Sequence, residues 1–168
     1  MDWISFISDN YEYVLDTSVI KASILNYSDE MQRENPDSNE NYEHIHKICF
    51  SVLSELIRAK IAIDAKQTIQ SEYESQVFDP YPNDYPAKWF SYMESRGRIV
   101  TKKIQWKKHL STHMRKHFGL SKVDCCLIHV AERASSRKVL HREKGIQNAA
   151  GYINEHFHVE QVNVMRLT

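Results

Sequence analysis

Tyr13-Val14-Leu15-Asp16-Thr17-Ser18-Val19-Ile20 is the stretch on which the fold turns. A short apolar run that stops at an acid and two hydroxyls reads as a buried strand, of the kind found in parallel sheets. Val19 to Tyr27 then reads as a helix. The same format returns twice, in Lys60-Ile61-Ala62-Ile63-Asp64 and Lys138-Val139-Leu140-His141. Weaker extended pieces are expected at Arg98–Ile104 and Val159–Met165. Between them the apolar residues fall at helical spacing. Ile48, Cys49, Val52, Leu53, Leu56 and Ile57 mark a helix over His46–Ala59, and Ile69, Tyr73 and Val77 mark one over Thr68–Phe78. A further helix is expected over Ala87–Glu94, with Gly97 as its stop. Trp106, Leu110, Met114 and Phe118 form a stripe that predicts a helix over Trp106–Phe118, stopped by Gly119. Ser121 is the expected cap of the next helix, and Asn148–Phe157 is the last one. Strands alternating with helices predict an α/β fold, with a mostly parallel central sheet flanked by helices. In such sheets ligands sit at the carboxyl ends of the strands.

Composition narrows the class. The 168 residues are about one domain's worth, enough to bury a core without disulfides. Lys and Arg number 22, as do Asp and Glu, so a globally basic nucleic-acid binder and a polyacidic disordered chain are both excluded. Cys49, Cys125 and Cys126 form no CxxC, which argues for free thiols in a reducing compartment. Met1-Asp2-Trp3-Ile4 lacks the basic-then-apolar layout of a leader, and no apolar run approaches the roughly 18 residues of a membrane span. A soluble cytoplasmic protein is therefore expected. Ser28–Asn41, rich in Asp, Glu, Asn and Ser, reads as a polar loop.

Four acids from distant segments are candidates for one site. Asp16 ends the first strand and Glu143 lies just past Lys138–His141. Asp124 opens the helix before that strand, and Glu72 lies in the helix after the second strand. Packed carboxylates repel one another, so such a cluster calls for cations, and hard oxygen donors suit Mg²⁺ or Mn²⁺ better than zinc. Two such ions support phosphodiester hydrolysis. Simpler explanations exist for two of the four. An acid in a helix's first turn, such as Asp124, is favourable there without any function. Ordinary solvation accounts for Glu72. Asp16 is harder to dismiss, because a charge directly after a buried strand is costly without a partner. Glu55 and Asp64 are spare acids that compete for the second position.

These segments, in this order, resemble the motifs of PIN-domain nucleases. Tyr13 to Ile20 is similar to the opening motif, in which the acid is the first metal ligand and a following Ser or Thr, here Ser18, orients it. Ile69-Gln70-Ser71-Glu72-Tyr73 is similar to the second motif, and Asp124 to Ala131 resembles the third. Val139-Leu140-His141-Arg142-Glu143 stands in the place of the fourth, with His141 for its Thr and Glu143 for its Asp. The resemblance runs over roughly residues 12 to 165. It implies a single PIN-like three-layer domain over 1–168, with insertions at about 28–41 and 79–108. It also implies a metal-dependent endoribonuclease in which Asp16, Glu72, Asp124 and Glu143 gather Mg²⁺ or Mn²⁺, with RNA as substrate. Small nucleases of this family are often toxins held inactive by an antitoxin, so a protein partner is implied, with a homodimer as a further candidate. A DNA-directed nuclease and a non-catalytic scaffold binding RNA or a protein are the alternatives. The altered fourth motif is the reason for the scaffold reading.

A basic helix follows the third strand piece. Lys107, Lys108, Arg115 and Lys116, preceded by Lys102 and Lys103, are candidate contacts to a phosphate backbone. The commoner meaning of such a run is a solvated helix face. His109, His113 and His117 lie four apart on the same helix. At 1.5 Å per residue the outer two are about 12 Å apart, so the three cannot share one ion. No HExxH, GxSxG, GxxxxGK[ST] or GxGxxG occurs, so zinc-protease, serine-hydrolase and nucleotide-loop chemistry have no motif here.

Overall fold

The computed structural model describes residues 6–167, so the leader-free reading of residues 1–4 falls outside the described residues. Five strands form one sheet: β1 (Glu12–Leu15), β2 (Lys60–Asp64), β3 (Ile99–Lys102), β4 (Lys138–His141) and β5 (Glu160–Asn163). All the pairings are parallel, in the order β3-β2-β1-β4-β5. The α/β fold with a parallel sheet is thus what the chain adopts, compatible with a three-layer PIN-like arrangement. Register runs through Glu12 opposite Lys60, Val14 opposite Val139 and Ile61 opposite Ile99. Tyr13, Val14 and Leu15 are all buried, although successive side chains point to opposite faces. The sheet is therefore covered on both sides at β1. The edge strands β3 and β5 are only four residues long and half-exposed, which limits unwanted strand pairing.

The helices are α1 (Thr17–Lys21), α2 (Tyr27–Glu34), α3 (Tyr42–Glu55), α4 (Thr68–Tyr73), α5 (Tyr85–Ser95), α6 (Lys108–Phe118), α7 (Lys122–Arg133), α8 (Lys144–Asn148) and α9 (Ala150–Phe157). Helix α7 packs on β1, β2 and β4, and α9 packs beside it on β5, while α1 packs on α3 and on β4. Buried Cys125, Cys126, Leu127, Ile128, Val130 and Ala131 make α7 the most deeply embedded helix. None of the described helices is long and apolar enough to cross a membrane.

Three expectations need correction. The polar stretch from Ser28 is not a loop through Asn41, because Tyr27–Glu34 forms α2. Asp29 and Glu30 in its first turn and Arg33 in its last complement the helix dipole, and the Tyr81 hydroxyl donates to Glu30 at 2.5 Å. The helix expected over Val19–Tyr27 stops at Lys21, since Ser23 and Ile24 take turn hydrogen bonds to Ile20 and Lys21. Trp106 lies ahead of α6 rather than on its stripe, because the Lys107 backbone N–H donates to His129 Nε2 at 2.9 Å. Elsewhere the discrepancies are shifts of element ends, except that the short helix α8 over Lys144–Asn148 is additional to those expected. The helix read as Thr68–Phe78 finishes in a π-type turn over Glu74–Phe78.

Candidate active site

The chain runs β1, β2, β3 in one direction across the sheet, then returns past β1 to lay down β4 and β5 on its other side. The strand order therefore reverses between β1 and β4, and the crevice outside the carboxyl ends of that pair is where open α/β sheets bind ligands. Asp16 follows β1 directly, and its backbone N–H donates to Leu140 of β4 at 2.9 Å. Its side chain is only 4% exposed. It caps α1: Asp16 Oδ2 accepts from the Ser18 backbone N–H at 3.2 Å and from the Ser18 hydroxyl as well. Both bonds fall on Oδ2, and Asp16 Oδ1 has no hydrogen-bond partner among the described residues. Burial, with Asp124 and Glu143 adding like charge, pushes the carboxyl pKa from 3.8 up to about 7, against the lowering effect of Ser18. The two acids that act on Asp16 are thus the ones from the first turn of α7 and from just past β4.

Each reaches the site by its own local device. Asp124 belongs to a capping box: it accepts from the Ser121 N–H at 2.8 Å, while Ser121 Oγ accepts from the Asp124 N–H at 3.0 Å. Ser121→Ala is expected to lower stability by about 1 kcal/mol, read as a Tm drop of roughly 2–4 °C. Glu143 is the exposed residue ahead of α8 and makes no capping bond with its side chain. Its position is set by the turn behind it. His141 is fully buried, accepts from the Glu143 backbone N–H at Nδ1 (2.9 Å) and places Nε2 2.5 Å from Gln161 Oε1. Nδ1 must then carry the lone pair and Nε2 the proton, so both nitrogens are used internally. Burial lowers the His141 pKa, which keeps the ring neutral. Arg142 ties the same turn to α1 and α2, donating to the Ser18 carbonyl at 3.1 Å and to the Tyr27 hydroxyl at 2.8 Å.

Glu72 shares no hydrogen bond with Asp16 among the described residues. It is half-buried on α4, and its charge acts on its neighbour Tyr73 rather than among the main influences on Asp16. Tyr73 is fully buried and donates its hydroxyl to the Leu15 carbonyl, which pins the strand end just before Asp16. Of the two competing acids, Asp64 is consumed by capping α4, accepting from Thr68 N–H at 3.0 Å and Ile69 N–H at 2.9 Å. Glu55 pairs with Arg58 at 3.3 Å, ahead of β2 and so at the opposite edge of the sheet. Glu55 is thus set apart from Asp16, whereas Asp64 ends the strand beside β1 with both its oxygens already bonded to α4.

The basic residues divide into two groups. Lys107 is engaged, with its ammonium 2.5 Å from Glu132. Lys108, Arg115 and Lys116 are exposed, and Arg115 and Lys116 border a shallow groove with Thr112 and Leu120. A deeper cavity of about 560 Å³ opens at the carboxyl ends of β2 and β3, lined by Asp64, Lys66, Thr68, Lys103, Trp106 and Lys122 among others. Reading Trp106 as part of a helix stripe hides this cavity. Lys66 and Lys122 belong to no motif, and only Lys103 is marked by the basic run. The three cysteines are free and buried, with burial pushing Cys125 up to about 11 and Cys49 and Cys126 to about 12. They are poor nucleophiles at neutral pH.

No family model, curated protein or solved structure matches this chain significantly. The chemistry of the acids must therefore be judged on the donors themselves. Among the described residues no three His, Cys, Asp or Glu side chains are drawn together tightly enough to enclose an ion. Such a preformed cage is what zinc requires. Mg²⁺ keeps several waters and is held by one or two carboxylates plus substrate phosphates. A buried carboxylate with an unpartnered oxygen, next to an exposed glutamate, fits that second pattern.

Proposed function

We propose that this protein is a metal-dependent endoribonuclease of the PIN-like kind. The observation that carries the proposal is the placement of Asp16 and Glu143 on either side of the reversal in strand order, with Asp124 acting on the same carboxylate. Asp16 and Glu143 would hold Mg²⁺ or Mn²⁺, with Asp124 and Glu72 contributing from outside the pair. Bound there, the ion supplies Lewis-acid stabilisation of charge on the phosphoryl oxygens and lowers the pKa of water at the site. Ser18 fixes the carboxylate orientation of Asp16, which leaves Oδ1 as the open donor. Tyr73 holds the end of β1, and His141 holds the turn that presents Glu143. Lys108, Arg115 and Lys116 offer charge to a phosphate backbone at a distance. A toxin or defence role restrained by a protein partner is the setting that the family resemblance suggests.

Two observations favour the scaffold reading: Asp124 already serves its own helix cap, and among the described residues the donors do not form a closed set. Cleavage of labelled single-stranded RNA in Mn²⁺, comparing wild type with Asp16→Asn, separates the two. Cleavage by the wild type that disappears in the variant and in chelator is the expected result. Equal cleavage by both proteins would remove Asp16 from the chemistry, and no cleavage by either would favour the scaffold. Competition by single-stranded DNA decides between the two nucleic acids.

A further inference from the structure

The cavity beyond β2 and β3 has features that the acid cluster does not explain. Its volume, about 560 Å³, falls within the ~300–1,000 Å³ range of small-ligand sites. Three lysines from three separate elements line it: Lys66 after β2, Lys103 after β3 and Lys122 at the start of α7. All three are exposed, and none makes an ion pair among the described residues. Thr68 also borders it, and Ile104 supplies an apolar wall.

Trp106 supplies the decisive element. Trp106 is 39% exposed and borders the cavity. One face lies flat on His129, with ring centroids 4.5 Å apart and planes 13° from parallel. His129 is itself immobilised. Its Nδ1 lies 2.7 Å from the Cys125 carbonyl, Nε2 accepts from the Lys107 N–H at 2.9 Å, and Phe157 meets it edge-on at 5.0 Å. The indole is thus braced from behind, and Trp106 forms part of the cavity's lining. A rigid aromatic plate with cations around it is the pairing that single-stranded nucleic acids exploit, stacking a base while the phosphates meet lysines. A paired base in a duplex is already stacked and cannot use such a plate. Lys122 stands two residues from Asp124, so the cavity and the acid cluster share the carboxyl edge of the sheet.

We propose that this cavity is a nucleotide subsite in which one unpaired base of a single-stranded RNA stacks on Trp106 and its flanking phosphates are held by Lys66, Lys103 and Lys122. The proposal rests on the nuclease reading for its choice of RNA. It does not need cleavage or metal, and its test is therefore run without either.

Binding of a short, fluorescently labelled single-stranded RNA is measured by anisotropy in chelator, for the full chain and its variants. Trp106→Ala is expected to weaken binding on the order of 10-fold, as loss of one stacked base does. Trp106→Phe, which keeps a ring against His129 and guards against misfolding, should recover most of that loss. The double change Lys66→Ala, Lys103→Ala should weaken binding and make it less sensitive to salt. The slope of log affinity against log salt should shrink by about 0.7 for each phosphate that is no longer neutralised. Duplex RNA of the same sequence should bind wild type and Trp106→Ala alike. Trp106→Ala binding single strands as well as wild type does, an equal loss for duplex, or no binding by the wild type would each overturn the subsite. Tighter binding of free mononucleotide than of the strand would overturn it too, in favour of a soluble nucleotide. Trp106-dependent binding without any cleavage in Mn²⁺ would sink the nuclease reading and leave the subsite standing.

Discussion

Asp16→Asn is expected to make the metal-free protein more stable at about pH 8 while abolishing RNA cleavage. The reason is the cost of the charge. In the unfolded chain the Asp16 carboxyl titrates near 3.8, and in the folded chain burial raises it to about 7. Below the lower value both states are protonated and nothing is lost. Between the two values the folded state holds a proton that the unfolded state has released, so stability falls as pH rises. Above about 7 the full cost of a buried carboxylate is present, on the order of 4 kcal/mol at 1.36 kcal/mol per pKa unit. Asn carries no charge and keeps an oxygen for the two Ser18 bonds. At roughly 2–4 °C per kcal/mol, its Tm at pH 8 should exceed the wild type's by about 8–16 °C. A divalent cation should reverse the order. It binds only the ionised carboxylate, so Mg²⁺ should raise the wild-type Tm more at pH 8 than at pH 6, and leave Asp16→Asn unmoved. Differential scanning calorimetry with Mg²⁺ and with chelator at both pH values checks all of this. A variant less stable than wild type at pH 8 would mean that Asp16 is a structural cap first and that its burial is compensated elsewhere.

His141→Ala is the second large effect expected. It strips partners from Gln161 and from the Glu143 N–H and leaves a hole at a fully buried position. Each stranded polar group costs about 1–3 kcal/mol, and the total is expected at about 3–5 kcal/mol. Cleavage should fall too, because the turn that presents Glu143 loses its anchor. His141→Asn should restore part of both, since its side-chain oxygen can accept from the Glu143 N–H as Nδ1 does. The pH dependence runs opposite to that of Asp16. Burial lowers the folded-state pKa of His141, so as pH falls through the ordinary value of 6.5 only the unfolded chain takes up the proton, and stability drops. Burial acts on His129 in the same direction. Urea unfolding at about pH 5 and pH 7.5 should show this acid-side loss most clearly in Asp16→Asn, where the opposing carboxylate is gone, and less of it when His141 is also removed.

Much of the candidate site is legible in the amino-acid order. Asp16 is conspicuous because an acid at the end of Tyr13-Val14-Leu15 has no cheap local explanation. Asp124 and its cap Ser121 are legible through helix-start chemistry. Glu143 is legible only as a position after a strand. The role of His141 is not, since it depends on Gln161, twenty residues on in a neighbouring strand. Glu72 and Asp64 show the reverse. Both are acids near the end of β2 in sequence, yet backbone N–H groups of α4 claim Asp64, while Glu72 is not among the main influences on Asp16.

Taken alone, the sequence determined the alternation of strands and helices, and with it the parallel sheet and the edge on which ligands gather. Those are consequences of periodicity and of the cost of leaving backbone groups or charges unpaired, and both act over a few residues. Only the packed molecule sets β4 beside β1, so that the charge of Glu143 acts on Asp16. It alone drew Trp106 out of its helix and onto His129, opening the cavity with Lys66, Lys103 and Lys122 around it. Those outcomes join residues far apart in the chain, and which partner each one finds is settled by packing that no local pattern records.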